Sequence, residues 1–269
     1  MAGAAKQGGA ARSRGSGDGH RTRLRERFLA GGPGALADYD LLELLLQFAV
    51  PRKDTKPTAR ELLRRRGTLA GVFLQPRGET TDIPGLGPAS RLLLALVRAV
   101  MTRALAVELQ SGCRISAPED VADFVRLELG PQPRECVLAI FLNAGNELVH
   151  HDRLAEGTVN QAPVYPREVA RLALLHGATG VILAHNHPGG QCAPSRDDLE
   201  LTRTLGDALA KLDVRLLDHL IVTSGAVYSI TAGREIHGGA GRPDAAAVRR
   251  FLEATGQEAR KCHDKKSFK

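Results

Sequence analysis

Two histidines, a serine and an aspartate lie close together in the segment AHNHPGGQCAPSRDDL and have the side chains of a metal site. His185 and His187 are two residues apart, so their imidazoles emerge on one face if a strand continues through them. Ser195 occupies an N-cap position, and Asp198 lies in the first turn of the following helix, from where it can point back at the histidines. The spacing predicts that two imidazoles and one carboxylate hold a single ion.

Three ligands of this kind are typical of catalytic zinc, because the fourth tetrahedral position stays open for water. Zinc lowers the pKa of such a water to about 7, which supplies a nucleophile at neutral pH. A base that is not itself a ligand must accept the water proton, and a carboxylate near the metal is expected for that task. A purely structural zinc would have four protein ligands, so the open position favours catalysis.

Each of these residues also has a structural explanation when it is taken singly. Ser195 can serve only as a helix cap, and Asp198 can simply complement the helix dipole. A histidine pair two residues apart also occurs by chance. The combination of the pair with the break at Pro188 and with a serine and an aspartate on the next helix favours the metal site.

The elements around this segment alternate between strands and helices from about residue 115 to residue 237. Apolar runs of strand length and helical periodicity predict a helix, a strand, a second strand that ends at the histidines, and a long helix: 120–129, 136–142, 179–184 and 195–212. Further strand candidates are 147–151, 214–223 and 226–231, and a helix begins at Pro166. From residue 21 to residue 108 the apolar residues recur at helical spacing only, which predicts an all-helical half.

The motif resembles a known one. Its spacing is similar to that of the JAMM zinc motif of JAB/MPN-type metalloproteases, and the stretch YPREVARLALLHGATGVILAHNHPGGQCAPSRDDLELT with LLDHLIV resembles the RadC family. The resemblance implies an α/β fold: a JAB/MPN-type mixed sheet flanked by helices, preceded by a small all-α, helix-hairpin-helix-like domain. It also implies Zn2+ as cofactor, with His185, His187 and Asp198 as ligands and Ser195 assisting the oxyanion.

The resemblance further implies an upstream glutamate as general acid/base, at the start of a strand after the first helix. Glu135, in RECVLAIFL, stands at the matching position. Glu156 and Glu168 are the alternatives. Helix-dipole stabilisation alone accounts for Glu168 in the first turn of its helix, and a solvated loop charge accounts for Glu156. We therefore expect Glu135 to be the base.

Other residues near the motif leave two interpretations open. Asp218 and His219, in LLDHLIV, either line the site and orient a ligand or are buried on a central strand and satisfied by backbone. Gly189 stands where the family usually has serine, which alters no ligand position. Cys192 lies in the same loop, and we interpret it as a loop thiol rather than a ligand.

The basic N-terminal half contains DIPGLGPA, a turn followed by an apolar helix. This segment resembles a helix-hairpin-helix element, in which the backbone of Gly85 and Gly87 would approach a DNA phosphate without reading sequence. A tight connection between two helices is the alternative, and the arginines at 64–66 are equally explained as a solvated face. The excess of basic residues favours non-specific DNA binding as an expectation.

Composition sets the outer limits. The 269 residues, 43% hydrophobic and 25% charged, predict a chain that is mostly globular. Together with the patterns above and the family resemblance, they predict a disordered basic arm at 1–20, a helical domain at 21–110, a JAB/MPN-type domain at 115–237 and a flexible basic tail at 238–269. The net charge of +7 is concentrated at the two ends, and the middle is acidic. The four cysteines include no CxxC pair, which argues against a disulfide framework or a cysteine-based zinc finger. No apolar stretch is long enough for a membrane span or signal peptide, so we expect a cytoplasmic protein.

These observations predict a zinc hydrolase that cleaves amide bonds in an unidentified protein or peptide substrate. The alternative is a DNA-associated, metal-dependent nuclease or DNA-repair factor. Metallo-β-lactamase-type nucleases typically have HxHxDH, whereas Gly189 and Gly190 occupy the places of that aspartate and histidine here. A single ion with one water also suits a carbonyl better than a phosphodiester, for which two-metal sites are usual.

Overall fold

The computed structural model describes residues 16–74, 82–110, 114–157 and 164–237. The elements described in the N-terminal part are all helical: α1 (Ser16–Gly31), a 3-10 helix (Pro33–Ala35), α2 (Asp38–Ala49), α3 (Lys56–Arg66), α4 (Leu69–Phe73) and α5 (Pro88–Gln110). The all-helical half expected from periodicity is therefore present. Helix α1 begins at Ser16, so the boundary expected at residue 20 falls inside a helix. Residues 1–15 and the expected tail at 238–269 lie outside the described residues.

The C-terminal part is a mixed sheet with helices on both faces. Its elements are α6 (Glu119–Leu129), β1 (Cys136–Leu142), β2 (Leu148–Glu156), α7 (Pro166–Leu175), β3 (Gly180–Asn186), α8 (Arg196–Ala210), β4 (Arg215–Val222), β5 (Val227–Ser229) and β6 (Arg234–Ile236). The strand order is β2-β1-β3-β4-β5-β6. Strands β3 and β4 pair in parallel, joined through α8, and every other neighbouring pair is antiparallel. The α/β class with a preceding helical domain is confirmed.

The uninterrupted apolar run of β1 is explained by burial on both faces. Val137, Ala139 and Phe141 belong to the core under α7 and α8, whereas Leu138 and Ile140 belong to the core under α5 and α6. Successive side chains of a strand point to opposite faces, so a central strand covered by two helical layers has no polar face. This double burial holds the centre of the sheet, and the end of the neighbouring strand β3, in place.

The helical half has a separate small core. Leu42, Leu46, Leu62 and Leu94 bring α2, α3 and α5 together, and Ile83 and Leu86 of the connection before α5 join them. Among the described residues, no helix combines the length and apolar character that a bilayer crossing requires.

Candidate metal centre

Strand β3 delivers the two histidines to the edge of the sheet. His185 is the next-to-last residue of the strand and is almost completely buried. His187 follows the strand directly, and its backbone N–H donates to the carbonyl of Val222 at 2.9 Å, which continues the pairing with β4. The extended backbone brings the two rings together as the spacing predicts, with 2.9 Å between their Nε2 atoms.

Helix α8 supplies Asp198 through a capping box. Ser195 is the N-cap: its Oγ accepts from the Asp198 N–H at 3.1 Å, and the Asp198 carboxylate accepts from the Ser195 N–H at 2.7 Å. The Ser195 hydroxyl also donates to Asp198 Oδ2 at 2.6 Å. This arrangement turns the carboxylate towards the histidines, with Oδ1 3.0 Å from His185 Nε2 and Oδ2 3.4 Å from His187 Nε2.

The electrostatics of Asp198 follow from these contacts. Burial opposes ionisation of the carboxyl, but in the metal-free site the protonated forms of His185 and His187, together with the Ser195 hydroxyl, hydrogen-bond to it, outweigh burial and lower the pKa of Asp198. The carboxylate is therefore ionised at neutral pH. An anionic carboxylate beside two imidazoles is a donor set that suits a divalent cation such as zinc.

Glu135 precedes β1 and brings a second carboxylate to the histidines. Its ligand oxygen and the ligand nitrogens of His185 and His187 all lie within 4.8 Å of one another. Burial raises the pKa of Glu135, and the two histidines partly oppose that shift. A carboxylate made more basic in this way is a better proton acceptor near neutral pH.

The residue between the two histidines fixes the segment that carries Glu135. Asn186 points away from the histidine face, where its Oδ1 accepts from the Cys136 N–H at 2.8 Å. Its Nδ2 donates to the carbonyls of Gln132 and Arg134 at 3.1 and 3.0 Å. The side chain thus ties the chain on both sides of Glu135 to the end of β3. Sequence reasoning missed this role, although alternation along a strand indicates that Asn186 faces a different partner from its neighbours.

The two competing glutamates lie elsewhere. Glu156 is exposed at the end of β2, where its backbone pairs with that of Cys136. Glu168, in the first turn of α7, forms ion pairs with Arg167 and Arg171 on the surface. Among the described residues, Glu135 is the glutamate that joins the cluster of possible ligands with His185 and His187.

Asp218 and His219 separate into two different roles. The Asp218 carboxylate accepts from the backbone N–H groups of His219 and Thr231 and from the Ser229 hydroxyl, so it fastens the connection after β5. His219 is fully buried, with its Nε2 2.8 Å from Nδ1 of His185. Burial, and secondly the charge of His185, lower the pKa of His219 to about 3. Of the two interpretations left open, backbone and hydroxyl partners fit Asp218, and contact with His185, one of the predicted ligands, fits His219.

Gly189 and Cys192 lie in the loop between the histidines and α8, and neither belongs to the cluster of possible ligands formed by Glu135, His185 and His187. The Cys192 thiol is directed at the carbonyl of Ile221 at 3.5 Å, and burial raises its pKa. Apart from Gly189 itself and its two chain neighbours, no described residue has an atom within 4 Å of where a Cβ on Gly189 would stand, so there is space for the serine usual at that position.

The donor atoms test whether a cation fits. His187 Nδ1 contacts the carbonyl of Gln191 at 2.8 Å, and since a carbonyl only accepts, Nδ1 carries a proton; a neutral His187 ring therefore has its lone pair at Nε2. The Nε2 atoms of the two rings and the Asp198 carboxylate oxygens lie 2.9–3.4 Å apart, so when both rings are neutral with lone pairs at Nε2, a cation between these atoms compensates their mutual repulsion. Ligand atoms around a tetrahedral zinc are about 3.4 Å apart. The residues present therefore fit a zinc ion.

Gly85 and Gly87, the two glycines expected to approach a DNA phosphate, lie just before α5. Gly85 has a φ of 83°, and a Cβ there would overlap the Thr58 hydroxyl, so the tight turn requires glycine. Both Gly85 and Gly87 line a cleft of about 520 Å³ together with Arg52 and Lys53. The structure brings backbone and basic side chains together here.

Comparison with known proteins agrees with this architecture. Residues 115–236 match the family model described as a RadC-like JAB domain, and residues 19–92 match that described as UPF0758 N-terminal. Relatives include UPF0758 protein RSc2444 from Ralstonia nicotianae, 44% identical over 77% of this chain and 92% of the relative. UPF0758 protein Smlt0399 from Stenotrophomonas maltophilia is also 44% identical, over 77% of this chain and 89% of its own length.

The fold and the histidine–carboxylate cluster define a JAB-domain protein. The chain belongs to the RadC-like UPF0758 family. The RadC-like JAB domain and the cluster of possible metal ligands indicate a metal-dependent hydrolase or a protein related to DNA repair.

Proposed function

We propose that this protein is a JAMM-type zinc hydrolase that cleaves peptide or isopeptide bonds, with Glu135 as general base. The observation that carries the proposal is the convergence of the two Nε2 atoms and the Asp198 carboxylate, with Glu135 beside them as a carboxylate of raised pKa. His185, His187 and Asp198 would hold the ion. The same residue types recur in the zinc hydrolases that keep one position for water.

When bound, zinc supplies the Lewis acidity that makes water a nucleophile and polarises a carbonyl. Glu135 accepts the proton of the attacking water and can return it to the leaving amine. Its half-buried position favours this role, because burial raises the pKa of the carboxyl and a more basic carboxylate accepts the water proton more readily. Ser195 would stabilise the developing oxyanion by turning its hydroxyl from Asp198 to the substrate oxygen.

An amide substrate fits this site better than a phosphodiester. Metal-dependent phosphodiester cleavage commonly uses two ions about 4 Å apart, held by a correspondingly larger set of carboxylates and histidines. In the part of the chain that the structure describes, one cluster of three or more possible ligand residues is present, and it contains Glu135, His185 and His187. Together with Asp198 these groups supply three ligands and one base for a single ion.

The test compares the zinc-loaded protein with its Glu135→Gln variant on fluorogenic peptide, isopeptide-linked and branched-DNA substrates. We expect the variant to retain one zinc per chain and to lose about 10²- to 10⁴-fold in kcat, the usual contribution of a general base. Glu156→Gln is the matched control, since that exposed carboxylate stands on the neighbouring strand. Loss of zinc from Glu135→Gln would make Glu135 a ligand, and cleavage of DNA alone would favour the nuclease.

A nucleic-acid contact is the second candidate function, and the cleft at the start of α5 favours it. Backbone N–H groups at a helix N-terminus together with the basic side chains of Arg52 and Lys53 suit a phosphate. We expect duplexes of unrelated sequence to bind equally well and more weakly with rising salt. Fluorescence anisotropy measures this, and a double change of Arg52 and Lys53 to alanine should weaken binding; equal binding by the variant removes this cleft from the interface.

A further inference from the structure

A chain of short hydrogen-bonding contacts connects one proposed ligand to the backbone of another. His185 Nδ1 lies 2.8 Å from His219 Nε2, and His219 Nδ1 lies 2.6 Å from Thr202 Oγ1. Thr202 Oγ1 in turn lies 2.6 Å from the carbonyl oxygen of Asp198, one helical turn earlier in α8. The contacts run from the ring of the histidine on β3 through β4 to α8.

The Thr202 hydroxyl fixes the direction of this chain. It has a single proton and two partners at 2.6 Å, the Asp198 carbonyl and His219 Nδ1. The carbonyl can only accept, so the hydroxyl must donate to it; the opposite choice would press two oxygen lone pairs together. Thr202 Oγ1 is then left to accept, and His219 Nδ1 must carry a proton.

The proton on His219 Nδ1 in turn determines which atom donates in the contact between His219 and His185. His219 is fully buried and has its two ring nitrogens on Thr202 and His185, with no carboxylate among these contacts to compensate an imidazolium. A neutral ring protonated at Nδ1 presents a lone pair at Nε2, so the 2.8 Å contact requires His185 Nδ1 to donate. A neutral His185 ring then has its own lone pair at Nε2, beside His187 Nε2 and Asp198.

We propose that Thr202 and His219 are positioning residues that set the tautomer of His185, so that its Nε2 lone pair is available to the metal. This proposal rests on the proposed zinc site and deepens it, because it assigns a purpose to two residues that touch no reacting atom. Outer hydrogen-bond partners of this kind fix both the tautomer and the ring orientation of a metal-binding histidine. This chain of contacts, which we call the relay, begins at the carbonyl of Asp198, so α8 would provide one ligand and orient another.

Long-range 1H–15N correlation spectra of the full-length protein, labelled with 15N-histidine, test the direction of the relay without an activity assay. We expect His219 to be protonated at Nδ1, which is the less common tautomer of a free imidazole, with His219→Gln providing the assignment. His219 protonated at Nε2 in the wild-type protein overturns the proposal. This measurement needs no substituted protein to bind metal.

Zinc affinity, measured by competition with a chelating dye, tests the consequence. Thr202→Val removes the hydroxyl with little change of shape and should weaken zinc binding about 10- to 100-fold. Thr202→Ser keeps the hydroxyl and should restore affinity to within about threefold of wild type. Thr204→Val is the matched control, because that exposed threonine of α8 contacts only Glu200 among its hydrogen bonds.

The outcomes separate this proposal from the proposed function. Wild-type protein that takes up no zinc refutes the hydrolase while the spectra still decide the relay. Wild-type protein that binds zinc, together with a Thr202→Val variant of unchanged affinity, refutes the relay alone. If Thr202→Val fails to fold, the Thr202→Ser affinity and the wild-type His219 tautomer remain decisive.

Discussion

Ser195 caps α8, and in the proposed mechanism it also donates to a substrate oxyanion; substitution can separate these two roles. Its Oγ accepts from the Asp198 N–H at 3.1 Å and donates to Asp198 Oδ2 at 2.6 Å. Ser195→Ala removes both bonds. Loss of a serine cap typically costs about 1 kcal/mol, which corresponds to a Tm lower by about 2–4 °C in a protein of this size. Loss of one oxyanion donor costs about 10²- to 10³-fold in kcat.

Ser195→Gly provides the comparison that distinguishes the two tasks. Glycine at an N-cap costs only a few tenths of a kcal/mol, yet it lacks the hydroxyl as completely as alanine does. Differential scanning fluorimetry and kcat at saturating zinc should therefore rank the variants differently. We expect Ser195→Ala to be clearly less stable than Ser195→Gly while both lose activity to the same extent.

Thr68→Ala controls for the stability effect alone. Thr68 caps α4, far along the chain from the site, by accepting from the Gly71 N–H at 3.0 Å. Its loss should lower Tm without altering kcat. The reasoning about the oxyanion is wrong if Ser195→Ala and Ser195→Gly both keep kcat within about threefold of wild type, since the serine would then be a cap only.

Three further outcomes follow from other parts of the structure. Burial and the nearby His176, whose ring stacks on that of His150 at 3.8 Å, lower the pKa of His150. Below about pH 6.5 the unfolded chain therefore binds more protons than the folded protein, and the free energy of unfolding falls. Urea denaturation at pH 7.5 and 5.5 should show a smaller fall for His150→Leu than for the wild type. Gly85→Ala should lower the free energy of unfolding by about 1–3 kcal/mol, because φ is positive and the Cβ would overlap Thr58, whereas Gly87→Ala, with open space around it, should be nearly neutral in the same denaturation assay. Removal of metal with a chelator should lower Tm, since an ion that binds the folded state and not the unfolded chain stabilises the protein, and equal Tm values with and without chelator would count against a bound ion.

The arrangement of the histidines and Asp198 could be predicted because it is encoded locally. Alternation along a strand brings His185 and His187 together, and the capping box orients Asp198 from within one helical turn. Glu135 was expected from the family resemblance alone, because the sequence separates it from the histidines. The structure brings it to them through the antiparallel pairing of β1 with β3.

The contacts that hold the site together could not be predicted in the same way. Asn186 is 50 residues from Cys136, and Thr202 is 17 residues from His219, so neither pairing leaves a local pattern. For the fold, the strand Cys136–Leu142 was predicted with its observed bounds, because burial on both faces makes it uniformly apolar. Strand β2 runs beyond the predicted 147–151 to Glu156, and β6 was not predicted, because these edge strands expose polar side chains that resemble loops.

The tripeptide His185–Asn186–His187 shows how one short extended segment can position both parts of the proposed chemistry. Period-two alternation turns both imidazoles to the proposed metal site and the amide to the opposite side. There the amide binds the backbone on both sides of Glu135, so the base is attached to the same strand end as the ligands. The position of the Glu135 backbone relative to the histidines therefore depends on the Asn186 amide and on the pairing of β1 with β3. Because the pairing partner of β3 is doubly buried, this geometry is held by the core of the domain.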